Sequence, residues 1–111
     1  MPHVDVIAIK EFKTENVNKA LHLKTESIIQ DTYYFKPGQV LDYHRHPTGD
    51  QVFFVHEGTG TYFSDEGSED SVELKPGIVI LAPKNVWHKI VAKTDLIVSQ
   101  ATVQPAGMEK R

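Results

Sequence analysis

The chain has 111 residues, 12 basic and 15 acidic side chains, a formal net charge of -3 and no cysteine. A chain this long buries about two-thirds of the surface that its unfolded form exposes, so residues 1–111 read as one domain with a real core. The scattered basic residues form no patch for phosphate, which excludes nucleic acid as the main partner. The lack of thiols excludes disulfides and thiolate metal sites and suits a reducing cytoplasm.

The first stretch, "MPHVDVIAIKEFK", alternates charged and apolar residues and has no apolar h-region, so it does not read as a secretory signal. No run approaches the about 18 apolar residues of a membrane span. Within it, "VDVIAI" (residues 4–9) reads as a strand that covers a bare sheet edge of a second subunit. "TENVNKALHLK" (14–24) is polar and offers at most a short helical turn. From there the chain reads as β-branched and aromatic runs between turn signals. "SIIQDTYYFKPG" ends in Pro37-Gly38, and "QVLDYHRH" ends in the turn "PTGD". "QVFFVHEGTGTYF" carries Gly58 and Gly60, which suggest a tight hairpin, and "SDEGSED" (64–70) reads as a solvated acidic hairpin tip. "SVELKPG", "IVILAP", "VWHKIVA" and "LIVSQATV" follow, and the tail "QPAGMEKR" reads as frayed. Short strands with regular turns imply an all-β sandwich or barrel.

His44 and His46 lie one residue apart in "DYHRHPTGDQVFF". On a helix they would diverge. On a strand they share a face with Cα atoms about 6.5–7 Å apart, close enough for two imidazoles to converge on one ion. A lone H-x-H is a weak signal, because it arises readily by chance. Here it has a frame: Gly38-x5-His44-x-His46-x4-Gln51-x6-Gly58, then 18 residues, then Gly77-x5-Pro83-x-Asn85-x2-His88.

This frame resembles the two motifs of the cupin superfamily, over residues 38–58 and 77–92. The resemblance implies a small double-stranded β-helix, or jelly-roll barrel, with one divalent metal inside and His44, His46, Gln51 and His88 as its ligands. Three positions depart from the family pattern. Gln51 replaces a glutamate, Asn85 replaces a glycine but can adopt the positive φ of a turn, and Ala92 replaces an asparagine. Asp50 is the alternative fourth ligand, since a spacing of three residues is also allowed. The spacing to Gly58 selects Gln51, and a slip of one residue would turn the next strand inside out. The family also commonly dimerises, so a homodimer is expected.

Three imidazoles and an amide leave a divalent ion its full charge, which favours anionic ligands. The expected partner is therefore a small anionic molecule. Fe, Mn, Co, Ni, Cu and Zn all suit such a donor set. Phe53 and Val55 share the face of Gln51 and are expected to line the substrate pocket. Asp42, two residues before His44 on the same face, is expected at that pocket too, and reads either as an acceptor that orients an imidazole or as a solvated strand end. His56 falls on the opposite face, and His3 and His22 read as surface residues. Trp87 points away from its neighbour His88, and Tyr33, Tyr43 and Tyr62 read as packing residues. Two functions fit: a metal-dependent, dioxygenase-like enzyme, or a non-enzymatic module that binds a small ligand or metal. Metal-free sugar epimerisation would need His44 and Asp42 as a couple and is the weakest reading.

Overall fold

A computed structural model describes residues 1–111. It contains ten strands and no helix: β1 (Asn18–Lys24), β2 (Ile28–Phe35), β3 (Val40–Arg45), β4 (Gln51–Glu57), β5 (Gly60–Asp65), β6 (Glu69–Leu74), β7 (Val79–Ala82), β8 (Trp87–Ala92), β9 (Leu96–Val103) and β10 (Glu109–Lys110). They form two five-stranded sheets, ordered β1-β2-β9-β4-β7 and β10-β3-β8-β5-β6. Every pairing is antiparallel. From β2 to β5 each strand passes to the opposite sheet, as it does again from β6 to β9, which makes a jelly-roll double-stranded β-helix. No helix is present that could cross a membrane.

Alternation decides what faces inward. On β4 the buried positions are Gln51, Phe53 and Val55, and on β8 they are His88, Ile90 and Ala92. The interior of one half of the barrel is apolar, with Phe35, Phe53, Ile90, Leu96 and Val98 at its centre and Tyr33 and Tyr62 packed among them. Burial raises the phenol pKa of both tyrosines far above the usual range, so both stay protonated packing residues. The two Lys-Pro-Gly turns hold Gly38 and Gly77 at φ 84° and 96°. Each closes a turn, Gln39 donating to the Lys36 carbonyl and Ile78 to that of Lys75.

Four local expectations give way to tertiary structure. Residues 4–9 form no strand. Asp5 Oδ1 accepts the amides of Ile7 and Ala8 and caps a turn, and Tyr34 on β2 anchors the segment by donating to the Val6 carbonyl. Residues 14–24 are not helical but yield edge strand β1, because pairing along β2 satisfies their backbone; their polarity reflects a solvent-facing edge. Gly58 and Gly60 do not close a hairpin, since β4 and β5 belong to different sheets. At this corner the backbones approach closely: a Cβ on Gly58, at φ 86°, would lie 1.8 Å from the Asp95 carbonyl oxygen. Gly58→Ala should therefore cost more than about 3 kcal/mol of unfolding free energy. Urea denaturation measures this, and a loss below about 1 kcal/mol would show that the corner can relax. Finally, the tail is not frayed. β10 pairs with β3, placing Glu109 opposite Arg45 and Lys110 opposite His44.

Candidate metal centre

β3 carries His44 and leads into His46, while His88 lies directly across the ladder from His44 on β8. The opposite sheet contributes Gln51 at the head of β4. The ring centroids of His44 and His88 are 4.3 Å apart, those of His44 and His46 5.2 Å, and those of His46 and His88 5.8 Å. One nitrogen from each of the three rings lies within 4.8 Å of the others.

Three backbone carbonyls set the tautomers. His44 Nδ1 is 2.9 Å from the Asp42 oxygen, His46 Nδ1 is 2.7 Å from that of Gly107, and His88 Nδ1 is 3.2 Å from that of Val86. A carbonyl only accepts, so each Nδ1 carries the hydrogen and each Nε2 keeps a free lone pair. Buried polar atoms are normally paired. Yet His46 Nε2, His88 Nε2 and Gln51 Oε1 are buried and have no partner. All three atoms have the lone pairs that a cation takes. The three imidazole nitrogens fit a divalent metal ion, and Gln51 Oε1, buried on the inner face of the opposite sheet, is a candidate fourth donor.

Burial lowers the pKa of His44 and His46, and burial together with the neighbouring His44 pushes His88 down to about 3. The imidazoles are thus neutral and available to a cation at ordinary pH. Without metal, His88 takes up a proton near pH 3 in the folded chain but near 6.5 in the unfolded chain. Between these values the unfolded state binds more protons. Its contribution to stability is complete above about pH 6.5 and is lost as pH falls towards 3. The urea midpoint of metal-free protein should drop across this window, and less steeply in His88→Leu; equal slopes would contradict the assignment.

The other sequence candidates fall in different places. Asp50 is exposed and its Oδ1 accepts the Lys84 amide, 2.8 Å away, whereas Gln51 is 2% exposed. Gln51 shares the inner face of β4 with Phe53, whose ring lies 5.6 Å from that of His88. Phe53 and Val55 belong to the packed core. The cavity that opens beside the histidines, about 530 Å³, is lined by other residues: Val17, Lys19, Tyr33, Leu41, Asp42, Tyr43, His44, His46, Met108, Lys110 and Arg111. Asp42 reaches this cavity beside His44, at a bulge between Leu41 and His44. Its carboxylate accepts the Tyr43 amide, and its backbone oxygen, rather than its side chain, holds the imidazole. His56 points outward to Ser99 Oγ, His22 to Thr32 Oγ1, and His3 is exposed. Trp87 faces away from the site beneath the Arg45 guanidinium, 4.2 Å from its ring centroid. Asn85 adopts φ 66° and donates its amide to the His46 carbonyl, tying the second motif to the first.

Sequence reading misses the second layer. Gln51 Nε2 donates to Gln100 Oε1 and Thr102 Oγ1, and Gln100 Nε2 donates to Asp31 Oδ2. The one local signal is the polar pair Gln100 and Thr102, two residues apart in β9, whose only other polar residue is Ser99. Nothing local reveals Gly107, Lys110 or Arg111, because β10 reaches the site only through pairing with β3.

A family model described as "Cupin domain" matches residues 32–100. No curated protein matches the chain. Among solved structures, the chain is similar to an uncharacterized conserved protein with a double-stranded beta-helix domain from Klebsiella pneumoniae, with 20% identity, a TM-score of 0.87, and coverage of 96% of this chain and 94% of that one. It is similar to the TT1209 protein of Thermus thermophilus, with 23% identity, a TM-score of 0.85, and coverage of 93% and 97%. An RmlC-like cupin protein from Desulfovibrio desulfuricans gives 25% identity, a TM-score of 0.84, and coverage of 93% and 96%. The matched segment runs from β2 to β9 and encloses both histidine motifs, and on that ground the chain belongs to the cupin family.

Proposed function

We propose that the chain is a metal-dependent enzyme of the dioxygenase type acting on a small anionic molecule. The observation that carries this reading is the set of buried, unpartnered lone pairs on His46, His88 and Gln51, beside a cavity whose lining includes Lys19, Lys110 and Arg111. A divalent ion there supplies Lewis acidity and, if redox-active, electron transfer to dioxygen. The protein's own groups do the rest. The four donors are neutral, so none offsets the charge that draws an anion. Lys19, Lys110 and Arg111 steer that anion inward, while Val17, Leu41 and Met108 give the cavity an apolar wall. Asp42 is the one carboxylate on the lining; its Oδ1 accepts the Tyr43 amide, and no hydrogen bond ties its side chain to the histidines or Gln51, so we assign it no base role beside the donors. The substrate is therefore an acid or enol that arrives already ionised.

The second reading is a binding module that holds a small ligand or metal without turnover; the lack of a free base at the site favours it. Oxygen uptake separates the two. Protein reconstituted with iron, manganese, cobalt, nickel, copper or zinc is offered a panel of small carboxylates and enolisable acids. Uptake dependent on both metal and substrate supports the enzyme. Calorimetric binding without uptake favours the module. In either case Lys19→Ala should weaken the anion about tenfold, read as KM or Kd.

We also propose a homodimer. Phe54, Val79 and Leu81 are exposed on the outer face of β4 and β7, where Phe54 pairs with Val79, and a second copy would cover them. Light scattering at micromolar concentration tests this, and a monomeric mass refutes it.

A further inference from the structure

Gln51 can serve as a ligand only if its oxygen, not its nitrogen, faces the histidines. Amides have no intrinsic preference, so something must choose. The choice leads back along a chain of hydrogen bonds into the interior. Gln51 Nε2 lies 3.0 Å from Gln100 Oε1, and Gln100 Nε2 lies 3.0 Å from Asp31 Oδ2. Asp31 is 6% exposed, with Lys19 Nζ 3.9 Å from its carboxylate. A carboxylate only accepts hydrogen bonds. Gln100 must therefore turn its NH2 group to Asp31 and its oxygen to Gln51. Gln51 must in turn give its NH2 group to Gln100, and to Thr102 Oγ1 at 2.9 Å. Its Oε1 is left buried and unpartnered. Reversing either amide would set two acceptors against each other in the interior, where an unpaired acceptor is costly.

We infer that Asp31 is a positioning residue for the metal centre: it fixes the polarity of the Asp31–Gln100–Gln51 chain and so makes Gln51 an oxygen donor. The inference rests on the metal-centre reading above. It also explains how the centre tolerates glutamine. The carboxylate is not lost from this part of the barrel but lies two hydrogen bonds behind the ligand, on β2 instead of β4.

A two-residue cycle tests this in the full-length protein. Asp31→Asn offers either a donor or an acceptor, so both polarities become available and Gln51 can present its NH2 group to the ion. Gln51→Glu alone sets a carboxylate against Gln100 Oε1. The two changes together move the carboxylate to the other end of the chain at constant net charge and allow every bond to reverse. Zinc affinity by chelator competition should fall at least tenfold in Asp31→Asn, a typical effect for groups that orient ligands. The double variant should bind zinc at least as tightly as wild type. In metal-free protein, Gln51→Glu should lower Tm, and adding Asp31→Asn should restore most of the loss. Zinc affinity within twofold of wild type in Asp31→Asn overturns the inference, as does simple additivity of the two changes. If wild type itself takes up no metal, the metal-centre reading fails. The metal-free Tm cycle then decides the polarity of the chain on its own: rescue upholds it and additivity refutes it.

Discussion

Replacing His44 and His88 together by alanine should reduce metal content from about one ion per chain to none. The two residues are Cα partners across the β3–β8 ladder, with rings 4.3 Å apart, so their loss leaves His46 and Gln51 without a third donor. Stability should change in parallel. In the metal-free barrel, His46 Nε2, His88 Nε2 and Gln51 Oε1 are buried without partners, each at a cost of about 1–3 kcal/mol. An ion that binds only the folded state adds about 2.7 kcal/mol at one hundred times its Kd. For a domain of this size that corresponds to a Tm rise of roughly 10–20 °C. The rise should be present in wild type and absent in the double variant. Elemental analysis and thermal melts, on protein made without a histidine tag, read both effects. Equal metal content in the two proteins would place the ion elsewhere.

Deleting residues 107–111 should weaken metal binding by about 10–100-fold while leaving the barrel folded. The Gly107 carbonyl lies 2.7 Å from His46 Nδ1 and holds the hydrogen there. Without it the His46 ring can rotate or change tautomer, and the lone pair at Nε2 is no longer guaranteed. The same deletion removes β10 from the edge of β3 and breaks the pair between Arg111 and Asp65, 2.9 Å apart. It also takes away Met108, Lys110 and Arg111 from the cavity lining, so an anionic ligand should bind more weakly still. Arg111→Ala, which keeps Gly107, separates the two roles. It should leave metal affinity near wild type and reduce only anion binding. If the deletion leaves metal affinity unchanged, the tail is a cover for the cavity and has no part in orienting His46.

The histidines were legible because their frames are local. Gly38 and Gly77 take the positive φ that Pro-Gly turns require, and Asn85 takes φ 66° where the family pattern has glycine. Such turns are written in a few consecutive residues, and alternation along a strand then assigns each side chain a face. Alternation assigned faces but not contacts. Between Leu41 and His44 the register slips; Asp42 still lines the cavity, but its backbone oxygen rather than its carboxylate holds the His44 ring. Alternation was also silent on depth. Phe53 and Val55 face inward as expected, yet they fill the core, and β1, β3 and the tail line the cavity instead.

Sequence alone determined the strand-rich class, the two motifs and three imidazoles on inward faces. These follow from side-chain period and turn chemistry, which act over a few residues. Tertiary structure alone decided that Gly58 is a corner between sheets rather than a hairpin. It alone decided that the Gly107 carbonyl orients His46 and that Asp31 lies behind Gln51 through Gln100. The physical reason is common to all three. Each depends on which strands share a ladder and in what register, and that choice is settled by burial and backbone pairing over the whole barrel, between residues as far apart as Ile28 and Val103.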